Sequence, residues 1–168
     1  MSTPEVALAP WSLDGARRLV AGRPTAADGF DWHPDYPLPD TVDALQMLLG
    51  AHEVDGPLRR RPRWWVQEIR VAGEVVGDVG FHGPPLAGGP VVVEVGYAVV
   101  PALRGRGIAS RALGLLLALA WRDGAVQVLA ETDEHNHASQ AVLRRAGFRR
   151  RLSGDFALDR PTGLRVPA

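Results

Sequence analysis

The residues with the clearest chemical meaning lie at Glu94-Val-Gly-Tyr-Ala-Val-Val-Pro-Ala-Leu-Arg-Gly-Arg-Gly-Ile-Ala-Ser-Arg-Ala-Leu113, where two glycines and two arginines separate an apolar strand pattern from an apolar helix pattern. A helix start leaves backbone N–H groups without partners, and glycine lets an anion approach that backbone closely. Arg104 and Arg106 add charge where the helix dipole is already positive, a dipole term of about 0.3–1 kcal/mol at an exposed site. The natural ligand of such a junction is a phosphate or pyrophosphate. A phosphate-loop reading fails because it needs a lysine and the chain has none. A dinucleotide-binding Gly-x-Gly-x-x-Gly reading places Gly105 and Gly107 well and offers Glu131 as the ribose ligand, but Ser110 stands where the third glycine belongs. Too little chain follows Glu131 to complete a doubly wound sheet. A plain turn with solubilising arginines is the remaining alternative.

Composition removes other chemistries. The 168 residues carry 19 basic and 19 acidic side chains, and every basic one is arginine. The absence of cysteine excludes a thiol nucleophile, a disulfide framework and a thiolate metal site, and the absence of lysine excludes a Schiff base. A net charge of zero argues against coating nucleic acid or an anionic membrane. The first residues lack a basic region followed by a long apolar run, and the longest apolar stretch, Ile108 to Trp121, is too short and too interrupted to span a bilayer. A cytoplasmic protein with no membrane or nucleic-acid partner is expected.

The elements that must position the junction follow from periodicity. Glu5 to Pro10 reads as a strand, Ser12 as the cap of a helix ended by Gly22, and 23 to 39 as an irregular loop containing Trp32, His33 and Tyr36. Asp40 or Thr41 caps a second helix, expected to end at Gly50. Trp64 to Val71, Val75 to His82 and Val91 to Val100 alternate with a period of two and predict three antiparallel strands, with Ala72-Gly73-Glu74 as a tight turn. Ile108, Ala112, Leu115, Leu116 and Leu119 return to helical spacing up to Gly124. A strand at Val126 to Glu131, a helix from about Ala138 to Ala146, and a hairpin of Phe148 to Leu152 with Asp155 to Leu158 complete one domain over 1–168, with a frayed tail at 160–168. On the third central strand, Val92, Glu94, Gly96, Ala98 and Val100 share one unusually small face, and the valines and Tyr97 share the other.

The pattern Arg104-x-x-Gly107-x-Ala109 resembles the acetyl-CoA pyrophosphate motif of the GCN5-related N-acetyltransferases, and Asn136-His-Ala-Ser139 through Gly147-Phe148 resembles that family's later helix and strand start. The resemblance covers 64 to 150 well and the N-terminal third by element order only. Glu94-Val-Gly-Tyr97 and Asn136-x-x-Ser139 look most like the branch that acetylates ribosomal-protein N-termini. It implies an α/β (α+β) acyl-CoA N-acyltransferase fold, with a mixed, largely antiparallel sheet splayed between its fourth and fifth strands. It also implies acetyl-CoA as cosubstrate, no metal, and an amine acceptor, either a small molecule or a peptide N-terminus; a homodimer is left open. A bulge near Tyr97 to Val99 is implied, with backbone groups of Ala98, Val99 and Val100 on the pantetheine. N–H groups from Arg104, Gly105, Arg106, Gly107, Ile108 and Ala109 would hold the pyrophosphate. Arg144, Arg145 and Arg149 to Arg151 form a second basic group that could reach the 3′-phosphate.

Acetyl transfer needs a neutral amine, and an α-amine is far more often neutral at pH 7 than a lysine-like amine of pKa near 10.4. Glu94 is the first candidate base, directly or through water, and Glu68 the second; either could instead be a carboxylate paired with an arginine. The family's usual acid is a tyrosine at the position of Leu143, so the usual donor to the leaving thiolate is missing. Ser139 is the nearest hydroxyl by motif, and Asn136 is expected on the pantetheine or a strand end. Trp32 and Tyr36 either wall the amine site or fill a gap over the sheet. His135 and His137 flank a loop and make a poor metal site, and Arg59 to Arg63 reads as a solvated linker. A noncatalytic acetyl-CoA sensor of the same fold is the alternative to an enzyme.

Overall fold

The computed structural model describes residues 4–22, 31–54 and 64–163. The period-two segments form the centre of the sheet: β2 (Gln67–Val71), β3 (Glu74–Phe81) and β4 (Val92–Val99), each antiparallel to the next. Ala72 and Gly73 alone make the first turn, with φ of 51° and 87°, the left-handed pair that matches strand twist, so Glu74 already belongs to β3. Trp64 and Trp65 precede β2 and do not begin it. Both are buried, and Trp64 meets Phe81 edge-on with ring centres 5.0 Å apart, so their role is packing.

β1 (Val6–Pro10) adds antiparallel to β2, while β5 (Gln127–Ala130) runs parallel to β4, and β7 (Phe156–Asp159) and β6 (Arg149–Arg150) finish a seven-stranded sheet in the order β1-β2-β3-β4-β5-β7-β6. β4 and β5 pair only from Val92/Gln127 to Glu94/Leu129. Beyond that point β4 continues to Val99 against β3 alone, and the sheet splays open.

Ser12 caps α1 (Leu13–Val20), accepting from the Gly15 N–H at 3.0 Å. α2 (Pro39–Val54) passes through Gly50, where a break was expected, because one helical glycine costs only about 1 kcal/mol. α3 (Ile108–Arg122) buries Ile108, Ala112, Leu113, Leu116 and Leu117, and α4 (His137–Arg145) touches α3. Side chains of adjacent strand residues point to opposite faces. Asp78 reaches Thr41 of α2, whereas Tyr97, next to Asp78's partner Ala98, reaches Ser139 of α4, so α2 and α4 cover opposite faces.

One further expectation is corrected. The β3–β4 register is unbroken from Gly77/Val99 to Phe81/Val95, so no bulge lies near Tyr97 to Val99; the irregularity is between Ile69 and Arg70 on β2. There Val75 exchanges hydrogen bonds with the Asp31 carbonyl and His33 N–H instead. Arg160 is tied to the Val126 carbonyl at 2.9 Å, and the last five residues of the expected tail lie outside the described residues.

Candidate active site

The splay creates a cleft of about 440 Å³ that runs from α2 across the sheet to α4. Its floor is the small face foreseen on β4. Gly96 and Ala98 lie beside Gly80 of β3, and a Cβ on Gly96 would fall 2.8 Å from His82 Nε2, while one on Gly80 would fall 2.4 Å from the Val66 Cα. Asp40, Asp43, Ala44 and Met47 of α2 form one wall, and residues 130–133 with Asn136, Ser139 and Leu143 form the other.

Antiparallel pairing decides which backbone groups face the opening. The His82 N–H donates to Glu94 O and the Val100 N–H to Val76 O, both at 2.9 Å, so by alternation Gly96 and Ala98 are also engaged with β3. The groups turned toward the missing neighbour are those of Tyr97 and Val99. Without the bulge, Ala98 and Val100 cannot offer their N–H groups, which corrects the expected set. The Val99 carbonyl accepts from Arg104 Nε at 2.9 Å, so Arg104 staples the strand end as well as standing at the junction.

Past Val99 the chain makes a single 3₁₀ turn, Pro101–Leu103, and reaches the glycines. Gly105 and Gly107 have φ of 75° and 78°, and nothing lies within 4 Å of where a Gly105 Cβ would be. The N–H groups of Ile108, Ala109 and Ser110 begin α3, whose first intrahelical bond, Arg111 N–H to Gly107 O, is 3.1 Å long. Arg106 is exposed beside them, and the Ser110 hydroxyl is buried without a partner. Free helix-start donors, open space over Gly105 and a nearby guanidinium fit a pyrophosphate.

Glu94 lies directly across from His82, and His82 Nδ1 is 3.0 Å from Glu94 Oε1. His82, not Glu94, lines the cleft. Sequence reasoning missed this histidine, although the hairpin places it opposite Glu94. Glu68 is buried, held by Arg70 Nε at 2.8 Å, and does not line the cleft. Its Cα partner is Asp78, a second residue that was missed. Asp78 is buried on the cleft wall, accepts from the Thr41 hydroxyl, and has its pKa raised to about 6, chiefly by burial and also by Asp40.

On the far wall Asn136 Oδ1 accepts from the Ser139 N–H at 3.0 Å and so caps α4, while Ser139 O accepts from the Tyr97 hydroxyl at 3.0 Å. Burial raises the Tyr97 pKa. Leu143, at 1 % exposure, packs at the base of this wall. Trp32 and Tyr36 do not line the cleft. Trp11 and Trp32 pack tilted at 5.9 Å, Trp32 and Tyr36 edge to face at 5.5 Å, and Trp32 bridges to Val75, so they fill the gap over the sheet. Tyr36 stands behind Asp78, its phenol pKa raised by burial and by that carboxylate. Arg144 stacks on Phe156 and bonds Gln140, and Arg151 pairs with Asp155. The 59–63 arginine run lies outside the described residues. Among the described residues no group of three or more histidines or carboxylates converges as a metal site, and no helix is long and apolar enough to cross a membrane.

The family model for the acetyltransferase (GNAT) domain matches residues 5–149. The chain belongs to the GNAT acetyltransferase family. It is thus an acetyl-CoA-dependent acyltransferase, with acetyl-CoA as the donor substrate. Solved structures share the fold. RimJ of Mycobacterium smegmatis, in complex with CoA-disulfide, is 24% identical with a TM-score of 0.62, covering 92% of this chain and 81% of its own. The yncA protein of Salmonella typhimurium with acetyl-CoA is 18% identical, TM-score 0.62, over 97% and 98%. The acetyltransferase of Agrobacterium tumefaciens is 22% identical, TM-score 0.56, over 94% and 91%. No curated protein matches the chain.

Proposed function

We propose that this GNAT protein, as one cytoplasmic catalytic domain, transfers the acetyl group directly to a cationic primary amine while both substrates occupy the cleft. The observation that carries the acceptor class is the charge of the lining: Asp40, Asp43, Asp78, Glu131 and Asp133 line the cleft and, among the described residues, no arginine does, in a chain whose formal charges balance. A net negative cavity attracts a cation and disfavours an acidic acceptor. A small polyamine, an aminoglycoside or a basic peptide N-terminus all have this chemistry.

The donor side follows from the backbone. The N–H groups from Gly105 to Ala109, with Arg106 alongside, hold the pyrophosphate, and Tyr97 and Val99 take the pantetheine arm along the open edge of β4. An N–H of that edge is placed to polarise the thioester carbonyl. Asn136 fixes the start of α4, which sets Ser139 against the opening, and the Ser139 hydroxyl is the donor nearest the leaving sulfur in the absence of a tyrosine at 143. Glu94 acts through His82: it holds Nδ1, so Nε2 faces the cleft over Gly96 and passes the released proton toward solvent.

The test is turnover. Purified protein with acetyl-CoA is offered spermidine, kanamycin, an alanyl peptide and glutamate, and free CoA is measured. Cationic acceptors should release CoA and glutamate should not. Tight acetyl-CoA binding with no CoA release from any amine would instead support a noncatalytic sensor.

A further inference from the structure

Asp78 is the one buried member of the five carboxylates that line the cleft. It is 6 % exposed, and its carboxylate accepts from the fully buried Thr41 hydroxyl, which itself accepts from the Leu38 N–H at 3.2 Å, with the Tyr36 hydroxyl close by. The groups around it are Tyr36 from the segment leading into α2, Asp40 and Thr41 in the first turn of α2, and Glu68 across on β2. Among the described residues none of these is a cation, and the guanidinium on that strand, Arg70, is already held by Glu68 and the Gly73 carbonyl. A carboxylate kept dry and unneutralised costs stability, and such costs gather where a site needs the group.

Its position names the use. Asp78 is the Cα partner of Ala98 on the cleft floor, flanked by Tyr97 and Val99, whose N–H groups face the opening. Glu94 is four residues further along β4, about 13 Å away at about 3.3 Å per residue. This inference rests on the acetyl-transfer reading given above.

We propose that Asp78 is the residue that meets the acceptor ammonium and takes its first proton. The ammonium gives one N–H proton to the Asp78 carboxylate, and the freed nitrogen pair forms the N–C bond to the thioester carbonyl carbon. The C–S bond breaks with its pair on sulfur. The second N–H proton goes to that sulfur, leaving an amide and CoA thiol. The Asp78 proton then returns to solvent through water and His82, so one proton is released per acetylation. Thr41 is a positioning residue that fixes which carboxylate oxygen faces the amine.

The test compares Asp78→Asn and Thr41→Val with wild type, using whichever of spermidine, kanamycin or the alanyl peptide turns over best. Asn keeps the oxygen that accepts from Thr41 but cannot take the proton. Asp78→Asn should lose at least about 100-fold in kcat/KM with acetyl-CoA affinity unchanged, as expected for loss of a general base. Thr41→Val should lose less than about tenfold, because the carboxylate stays. The pH profile separates catalysis from structure. Wild-type kcat/KM should level off above about pH 6 and stay flat to the amine's own pKa, whereas in Asp78→Asn it should keep climbing in proportion to the neutral amine. Activity within threefold of wild type, a flat profile in Asp78→Asn, or equal loss in both variants with weakened acetyl-CoA binding would overturn the assignment while leaving acetyl transfer intact. Wild type that turns over no amine would overturn both.

Discussion

The two sides of the cleft are built in different ways. The donor side is one continuous stretch, from Glu94 on β4 through Gly105 and Gly107 to the first turn of α3, and local backbone rules nearly suffice to place it. The acceptor side is assembled from β3, the segment leading into α2, and α2 itself, joined by contacts such as Thr41 to Asp78 across 37 residues. On the proposed reading, donor recognition is a property of a segment, and acceptor recognition a property of the fold. The donor side should break by single changes to the backbone-defining residues, whereas the acceptor side should respond to changes in buried charge.

The largest effect is expected where the donor segment is most local. Gly107→Glu puts a side chain and a carboxylate at a residue with φ of 78° that starts α3. Acetyl-CoA affinity should fall more than about 100-fold, equivalent to about 3 kcal/mol, while far-ultraviolet circular dichroism shows the fold retained. Unchanged affinity by calorimetry would remove the pyrophosphate from this junction.

The acceptor side should show the next effect in stability rather than in donor binding. Asp78 has a folded pKa of about 6 against 3.8 for the free group. Below pH 3.8 the carboxyl is protonated in both states. Between those values the unfolded chain ionises first while the folded one retains its proton, so stability falls as pH rises, and the full penalty, about 3 kcal/mol, persists at higher pH. Asp78→Asn should therefore melt at a higher temperature than wild type at pH 8, with the gap closing by pH 4. Equal melting temperatures at pH 8 would mean that the carboxylate is not strained by burial.

This contrast also explains what could be read in advance. The strand, turn and helix at 94–113 were legible because glycine, arginine and periodicity act over a few residues. So were the strand order of the central hairpins, the Ser12 cap and α4. Glu94 was legible as chemistry, but its partner His82 was not, because only the β3–β4 register brings them together. Asp78 sat in a run of valines and glycines, Glu74 to Phe81, with no local mark of function, and its meaning depends on a helix nearly 40 residues earlier. The assignment of Ala98 and Val100 to pantetheine failed for a similar reason: it required a bulge that the regular ladder does not contain. Gly50 misled in the opposite direction, since the packing of α2 outweighs one residue's propensity.

Smaller effects sharpen the boundary between the two sides. His82→Gln removes an imidazole over Gly96, and Glu94→Gln removes the charge that holds it; each should lower kcat/KM by about tenfold without changing acetyl-CoA affinity, and the double variant should be little worse than either single one. Additive losses would mean that Glu94 acts independently of His82, as a base in its own right.

Arg104 should give the smallest effect, although it opens the motif. Its Nε is already engaged with the Val99 carbonyl, and its side chain is largely exposed to water and salt. Arg104→Ala should weaken acetyl-CoA binding by about threefold to tenfold, or about 1 kcal/mol, in keeping with a charge-assisted bond at a solvated site. Raising the ionic strength should narrow the gap only slightly if the loss comes from the strand-end staple, and should abolish it if the loss is phosphate attraction. The same residue type at one loop thus separates two physical contributions to donor binding: backbone donors fixed by Gly105 and Gly107, which salt leaves intact, and guanidinium charge, which salt screens.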